Sequence, residues 1–155
     1  MPKTHVLRMT IDIAAPTTVV WNVVSDHEGV PNWGPPLSVR IVEDGKPERN
    51  GLGAVRAVQF PRAPLVHERI TLFEPERTYE YKIFKGFPGL VDHLGKLTVE
   101  DAGSGKTRLR WDIDFQFKPW HPFAWIASWW MRKLETQMMT GMEKLKGQLE
   151  ARASA

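Results

Sequence analysis

Two side chains in this sequence have the chemistry and the setting to move protons, Glu68 and His93. In the segment 65–73, two-residue alternation puts Val66, Glu68, Ile70 and Leu72 on one face and Leu65, His67, Arg69, Thr71 and Phe73 on the other. Glu68 is read as inward because it travels with Ile70 and Leu72. A carboxylate held among aromatics has a raised pKa, which suits a general acid or base, or a hydrogen-bond partner for a ligand hydroxyl. His93 shares a face with Gly95, Leu97 and Val99, where an imidazole donates or accepts and Gly95 leaves room for a ligand beside it. Each has a plainer alternative: a salt bridge at a strand edge for Glu68, and a surface position beside the loop 86–89 for His93.

Other chemistries lack their residues. The absence of cysteine removes disulfides, thiolate metal sites and thiol nucleophiles, and fits a reducing compartment. His5, His27, His67 and His121 lie far apart, with no spacing that brings ligands together on one element, so no metal is expected. Gly-x-Ser-x-Gly, phosphate-loop and dinucleotide patterns are missing as well. No cofactor is expected, and any catalysis is acid/base or proximity driven. The formal charge of +3 is spread over Lys and Arg interleaved with Asp and Glu, without the basic stripe of a nucleic-acid binder.

The elements that must position Glu68 and His93 follow from periodicity. Residues 4–14 alternate as a half-buried strand, and a short helix follows Pro16 with Val19, Val20, Val23 and Val24 at helical spacing. The turn-rich run 29–36 holds only a loop or short helix. Strands are predicted at 37–43, 53–60, 65–73, 78–84, 94–100 and 107–117, with a hairpin connection at 101–106. From about residue 121 to 152, Ile126, Trp130, Leu134, Met138, Met142, Leu145 and Leu149 recur three or four apart, predicting one long helix. This β-α-β6-α order predicts a single α+β domain over 1–155, a seven-stranded antiparallel sheet curved around the C-terminal helix. On the last strand Leu109, Trp111, Ile113, Phe115 and Phe117 face inward, and Tyr79, Tyr81 and Ile83 do so on the strand 78–84.

The segment Ala15-Pro16-Thr17-Thr18-Val19-Val20-Trp21-Asn22-Val23-Val24-Ser25-Asp26, followed by Pro31-Asn32-Trp33, resembles the opening of the polyketide cyclase/dehydrase-like group of the START-related (SRPBCC) superfamily. Further matches are Gly51-Leu52-Gly53, Glu68-Arg69-Ile70-Thr71, Pro75-Glu76-Arg77 and Thr107-Arg108-Leu109-Arg110-Trp111. The resemblance implies a helix-grip fold with an internal apolar cavity, used across the superfamily for lipids, sterols, plant hormones, quinones and polyketides. In the similar abscisic-acid receptors a Glu of the matching segment reaches the cavity, which supports Glu68 inward. Tyr79, Tyr81, Ile83, Trp111, Ile113, Phe115, Leu134 and Met138 are the expected ligand-binding walls. Binding or transport of a small hydrophobic molecule is the expected function, and cyclisation or dehydration of a polyketide by Glu68 or His93 is the alternative. Asp26 and Trp33, within the motif, are read as structural: a loop hydrogen-bonding group and a lid or rim packing residue.

The stretch 120–131 crowds Trp120, Trp125, Trp129 and Trp130 beside Phe123, more than one core face can bury. Three roles fit: a cavity gate, a contact in a homodimer, or a transient wedge at a membrane surface. Gate and dimer contact are favoured, because the cations Lys118, Arg132 and Lys133 are few and exposed aromatics more often meet protein. The stretch is too short for a transmembrane helix, and the first residues lack the pattern of a signal peptide, so a cytoplasmic protein is expected.

Overall fold

The computed structural model describes residues 3–154. Seven strands form one antiparallel sheet in the order β1-β7-β6-β5-β4-β3-β2. They are β1 (Thr4–Ile13), β2 (Ser38–Glu43), β3 (Val55–Gln59), β4 (Val66–Glu74), β5 (Thr78–Lys85), β6 (Leu90–Gly103) and β7 (Lys106–Phe117). Helix α1 (Thr17–Val24) starts directly after Pro16, whose fixed φ suits a helix entrance, and buries Val20, Trp21 and Val24. A short 3-10 helix, His27–Asn32, follows it, and α2 (Phe123–Ala153) closes the chain with 31 residues. Among the described residues no helix is long and apolar enough to cross a membrane.

The alternation read from β7 holds along its whole length. Leu109, Trp111, Ile113, Phe115 and Phe117 are buried, while Arg108, Arg110, Asp112, Asp114 and Gln116 face out, the four charged ones in cross-strand ion pairs such as Arg108–Asp12 and Arg110–Glu100. β6 extends well beyond the expected 94–100 because β7 offers a partner from Phe117 back to Lys106, with register shifts near each end of β6. The hairpin tip narrows to the turn at Gly103, Ser104 and Gly105, all with positive φ.

α2 buries Ala127, Met131, Leu134, Met138, Gly141, Met142, Leu145 and Leu149, three or four residues apart. Its first turn runs one position out of the expected phase: Ile126 is exposed and Ala127 faces the sheet. The helix comes closest to the sheet at β1. At Gly141 it also meets the chain after the 3-10 helix, where a Cβ would lie 2.6 Å from the Trp33 carbonyl oxygen. Farther across the sheet, large side chains fill the space between the layers.

Candidate functional site

Strand pairing sets Arg56 of β3 directly opposite Glu68 of β4. Both side chains turn into the interior, and the two residues are only 6% and 4% exposed. Arg56 Nε donates to Glu68 Oε2 at 2.6 Å. Its Nη1 donates to His27 Nδ1 at 3.0 Å. His27, at the start of the 3-10 helix, uses Nε2 to donate to the Asn50 carbonyl at 2.8 Å. These two contacts select the neutral imidazole protonated on Nε2. Burial first, and the Arg56 charge second, push the His27 pKa down to about 3, against a small opposite pull from the Asn50 carbonyl. For Arg56, burial disfavours the charge, but Glu68 and the neighbouring Tyr79 and Tyr81 oxygens outweigh it and hold the guanidinium above its ordinary value.

The aromatic walls surround this ion pair. The Arg56 guanidinium carbon lies 4.5 Å from the Tyr81 ring centre and 5.8 Å from that of Tyr79. Trp111 Nε1 donates to the Tyr81 hydroxyl at 2.8 Å. The Tyr79 hydroxyl donates to the Val24 carbonyl at 3.2 Å, tying β5 to the end of α1. Burial raises both phenol pKa values, so both hydroxyls stay protonated.

His93 is interior, which corrects the surface alternative. Its Nδ1 accepts the Ile83 backbone N–H at 3.0 Å. The ring packs edge-on against Phe115 at 4.9 Å between centres and lies 5.5 Å from Tyr81. Burial, and then the Arg56 charge, lower its pKa to about 3, with Asp92 opposing. Gly95 lies opposite Tyr81 in the sheet, and a Cβ there would overlap the Tyr81 ring. The room expected beside His93 therefore holds that ring. Glu68 faces inward as expected, but it is neither an isolated carboxylate nor a strand-edge partner, because the salt bridge it makes is buried.

Tyr79, Tyr81, Trp111, Ile113, Phe115, Leu134 and Met138 all belong to one core cluster, with Ile83 partly buried against it. They pack on one another in the space between sheet and helix where the internal apolar cavity is expected, together with Arg56 and Trp33. Two surface depressions lie elsewhere, one on α2 among Trp129, Arg132, Lys133, Thr136 and Gln137, the other on the outer sheet face at Thr10, Ile11, Asp12, Arg108 and Arg110. Trp33 is a core residue and not a rim: it is buried edge-on against Trp111 at 5.7 Å, and its Nε1 hydrogen has no acceptor among the described residues. Asp26 opens the 3-10 helix without a side-chain capping bond.

Arg56 and His27 were not legible as site residues. The one available signal for Arg56 is a lone cation in the otherwise small and apolar run Ala54-Val55-Arg56-Ala57-Val58. For His27 no periodicity exists, since it sits in a short turn after α1.

A family model described as polyketide cyclase / dehydrase and lipid transport matches residues 4–150. No curated protein matches the chain at a significant level. Among solved structures, the Zhui aromatase/cyclase from a Streptomyces species superposes with a TM-score of 0.80 at 19% identity, covering 97% of this chain and 96% of that one. A START superfamily protein from Mycobacterium smegmatis gives 0.73 at 17% identity, covering 95% and 98%. Norcoclaurine synthase from Thalictrum flavum gives 0.67 at 15% identity, covering 100% and 99%. These likenesses establish the helix-grip fold.

Proposed function

We propose that this chain, which belongs to the polyketide cyclase / dehydrase and lipid transport family, binds a small hydrophobic molecule carrying a neutral oxygen, between the sheet and α2. The observation that carries this reading is the polar equipment left over inside an apolar interior. Arg56 commits two of its five N–H donors to Glu68 and His27, and the Tyr79 hydroxyl draws on a third. Among the described residues the buried Trp33 indole N–H has no acceptor, at a cost of about 1–3 kcal/mol that a guest oxygen relieves. Because Glu68 already balances the Arg56 charge, a carbonyl or hydroxyl suits this end of the site better than a second anion. Admission requires repacking, and Met131, Met138 and Met142 on the inner face of α2 are unbranched thioethers that repack at low cost.

Binding is favoured over acid/base turnover by the protonation states. A general base works best with a pKa near the operating pH. His27 and His93 are both pushed to about 3, and the Glu68 Oε2 is already taken by the Arg56 Nε donor at 2.6 Å. A cyclase reading therefore rests on Arg56 polarising a carbonyl and on the confined shape of a guest, without a strong base beside it.

Mass spectrometry of material extracted from the purified, denatured protein tests the proposal. An apolar compound with a carbonyl or hydroxyl is expected, at clearly lower occupancy in a variant combining Arg56→Met with Glu68→Leu. Equal occupancy in both proteins rules out the polar anchor.

A further inference from the structure

Trp130 packs inward against Phe87, Phe115, Phe117 and Phe123 and closes one end of the core. The other three tryptophans of this region do not. Trp120 is 72% exposed, Trp125 81% and Trp129 52%, with Ile126 beside them at 50%. Trp125 and Trp129 are one helical turn apart on α2, so they stand on one side of the helix. Leaving large apolar groups in water at one end of a molecule marks a contact surface.

The charges around this patch say what it contacts. Between Asp114 and Glu135 the chain has no acidic residue, while Lys118, Arg132 and Lys133 all fall in that interval. Among the described residues none of these three cations is in an ion pair, whereas Arg8, Arg108 and Arg110 on the outer sheet face all are. Lys133 Nζ sits 4.3 Å over the Trp129 ring and Lys118 Nζ 5.3 Å from the Trp120 ring. Trp129, Arg132, Lys133, Thr136 and Gln137 together outline a surface depression with two cationic and two hydrogen-bonding side chains. A symmetric contact with a second copy would set this acid-free cationic face against itself, with no counter-charge. Indoles at headgroup depth flanked by lysine and arginine are the composition of a helix lying on an anionic bilayer.

We infer that the beginning of α2 docks on the surface of an anionic lipid bilayer. Trp120, Trp125, Ile126 and Trp129 enter the interface, and Lys118, Arg132 and Lys133 meet lipid phosphates. The first turns of α2 lie against β7 and the loop 86–89, so docking holds one end of the grip at the membrane. This inference goes beyond the interior site and does not depend on which guest that site takes.

Co-sedimentation of the full chain with phosphatidylcholine vesicles, with and without phosphatidylglycerol, tests it. Binding is expected only with phosphatidylglycerol present, weakening as salt rises. A Trp120→Ser, Trp125→Ser, Trp129→Ser variant is expected to lose binding by about tenfold or more, and a Lys118→Gln, Arg132→Gln, Lys133→Gln variant to lose its salt-sensitive part. All six side chains are at the surface, and an unchanged melting temperature shows that the fold remains intact. Equal sedimentation of wild type and both variants overturns the proposal. So does a wild-type dimer in sedimentation velocity that the tryptophan variant turns into a monomer while no vesicle binding is seen, since the patch is then an interface between copies.

Discussion

Removing the Glu68 carboxylate while keeping its shape is the sharpest perturbation of the buried pair. In Glu68→Gln the guanidinium of Arg56 remains, only 6% exposed, without the oxygen 2.6 Å away that balances it. Breaking a buried pair from one side costs about 3–5 kcal/mol, since the surviving charge keeps its desolvation penalty. Against a total stability of roughly 5–15 kcal/mol, that is a large fraction. With a urea dependence of roughly 2 kcal/mol per M, the unfolding midpoint falls by about 2 M. Replacing both partners, Arg56→Met with Glu68→Leu, removes the charge together with its counter-charge and is expected to lie within about 2 kcal/mol of wild type. A residual loss of about 1 kcal/mol comes from His27, whose Nδ1 then lacks its donor. Urea titrations of wild type, Arg56→Met, Glu68→Leu and the double variant give the coupling directly. A loss below about 1 kcal/mol in Glu68→Gln refutes the reasoning, because it means that water reaches Arg56 and the pair is not desolvated.

The two buried histidines make stability depend on pH. Each has its folded pKa lowered from 6.5 to about 3, so their contribution is present above about pH 6.5 and is lost as pH falls toward the folded value. Between about pH 7 and about pH 5 each costs about 2 kcal/mol, and His93→Gln is expected to remove close to half of the slope in urea midpoints measured across that window. Two glycines of α2 should respond with opposite signs. Gly141→Ala puts a Cβ 2.6 Å from the Trp33 carbonyl and 3.2 Å from Gly34 Cα, a backbone clash of about 1–3 kcal/mol that exceeds the helix-propensity gain of about 1 kcal/mol. Gly147→Ala meets nothing within 4 Å and keeps that gain, so thermal melts of the two variants should move apart. Gly95→Ala displaces the Tyr81 ring and breaks its bond to Trp111, a loss of about 1–3 kcal/mol that tryptophan fluorescence reports; an unchanged spectrum counts against the placement of that ring.

The parts of this molecule governed by two-residue alternation were readable before any coordinates. Trp111, Ile113 and Phe115 are inward because β7 alternates without interruption, and Glu68 is inward because the register shifts of β4 do not reverse its face. Past Ile70 such a shift does matter: Phe73, expected outward, packs against Trp21. Arg56 escaped notice because its importance comes from its pairing with Glu68, and cross-strand register between β3 and β4 is not written in either strand alone. His27 and Trp33 lie in the turn-rich run after α1, whose path is fixed by tertiary contacts such as the Gly141 approach. The packing of the interior was out of reach for a different reason. Whether aromatic walls enclose a space or fill it depends on how far α2 stands from the sheet, and periodicity carries no information on that distance.

We propose that the interior takes an apolar guest and recognises its oxygen through Arg56. Calorimetric titration with 2-acetylnaphthalene and 2-ethylnaphthalene, two guests of nearly equal size that differ in a carbonyl, addresses it most directly. The expected result is one site per chain with a negative heat-capacity change for both guests. The ketone should bind about tenfold or more tightly, as a hydrogen bond to a charged group contributes about 1.5–3 kcal/mol. That preference should vanish in the variant combining Arg56→Met with Glu68→Leu. Equal affinity for the two guests in wild type, or no binding of either by the folded protein, contradicts the account.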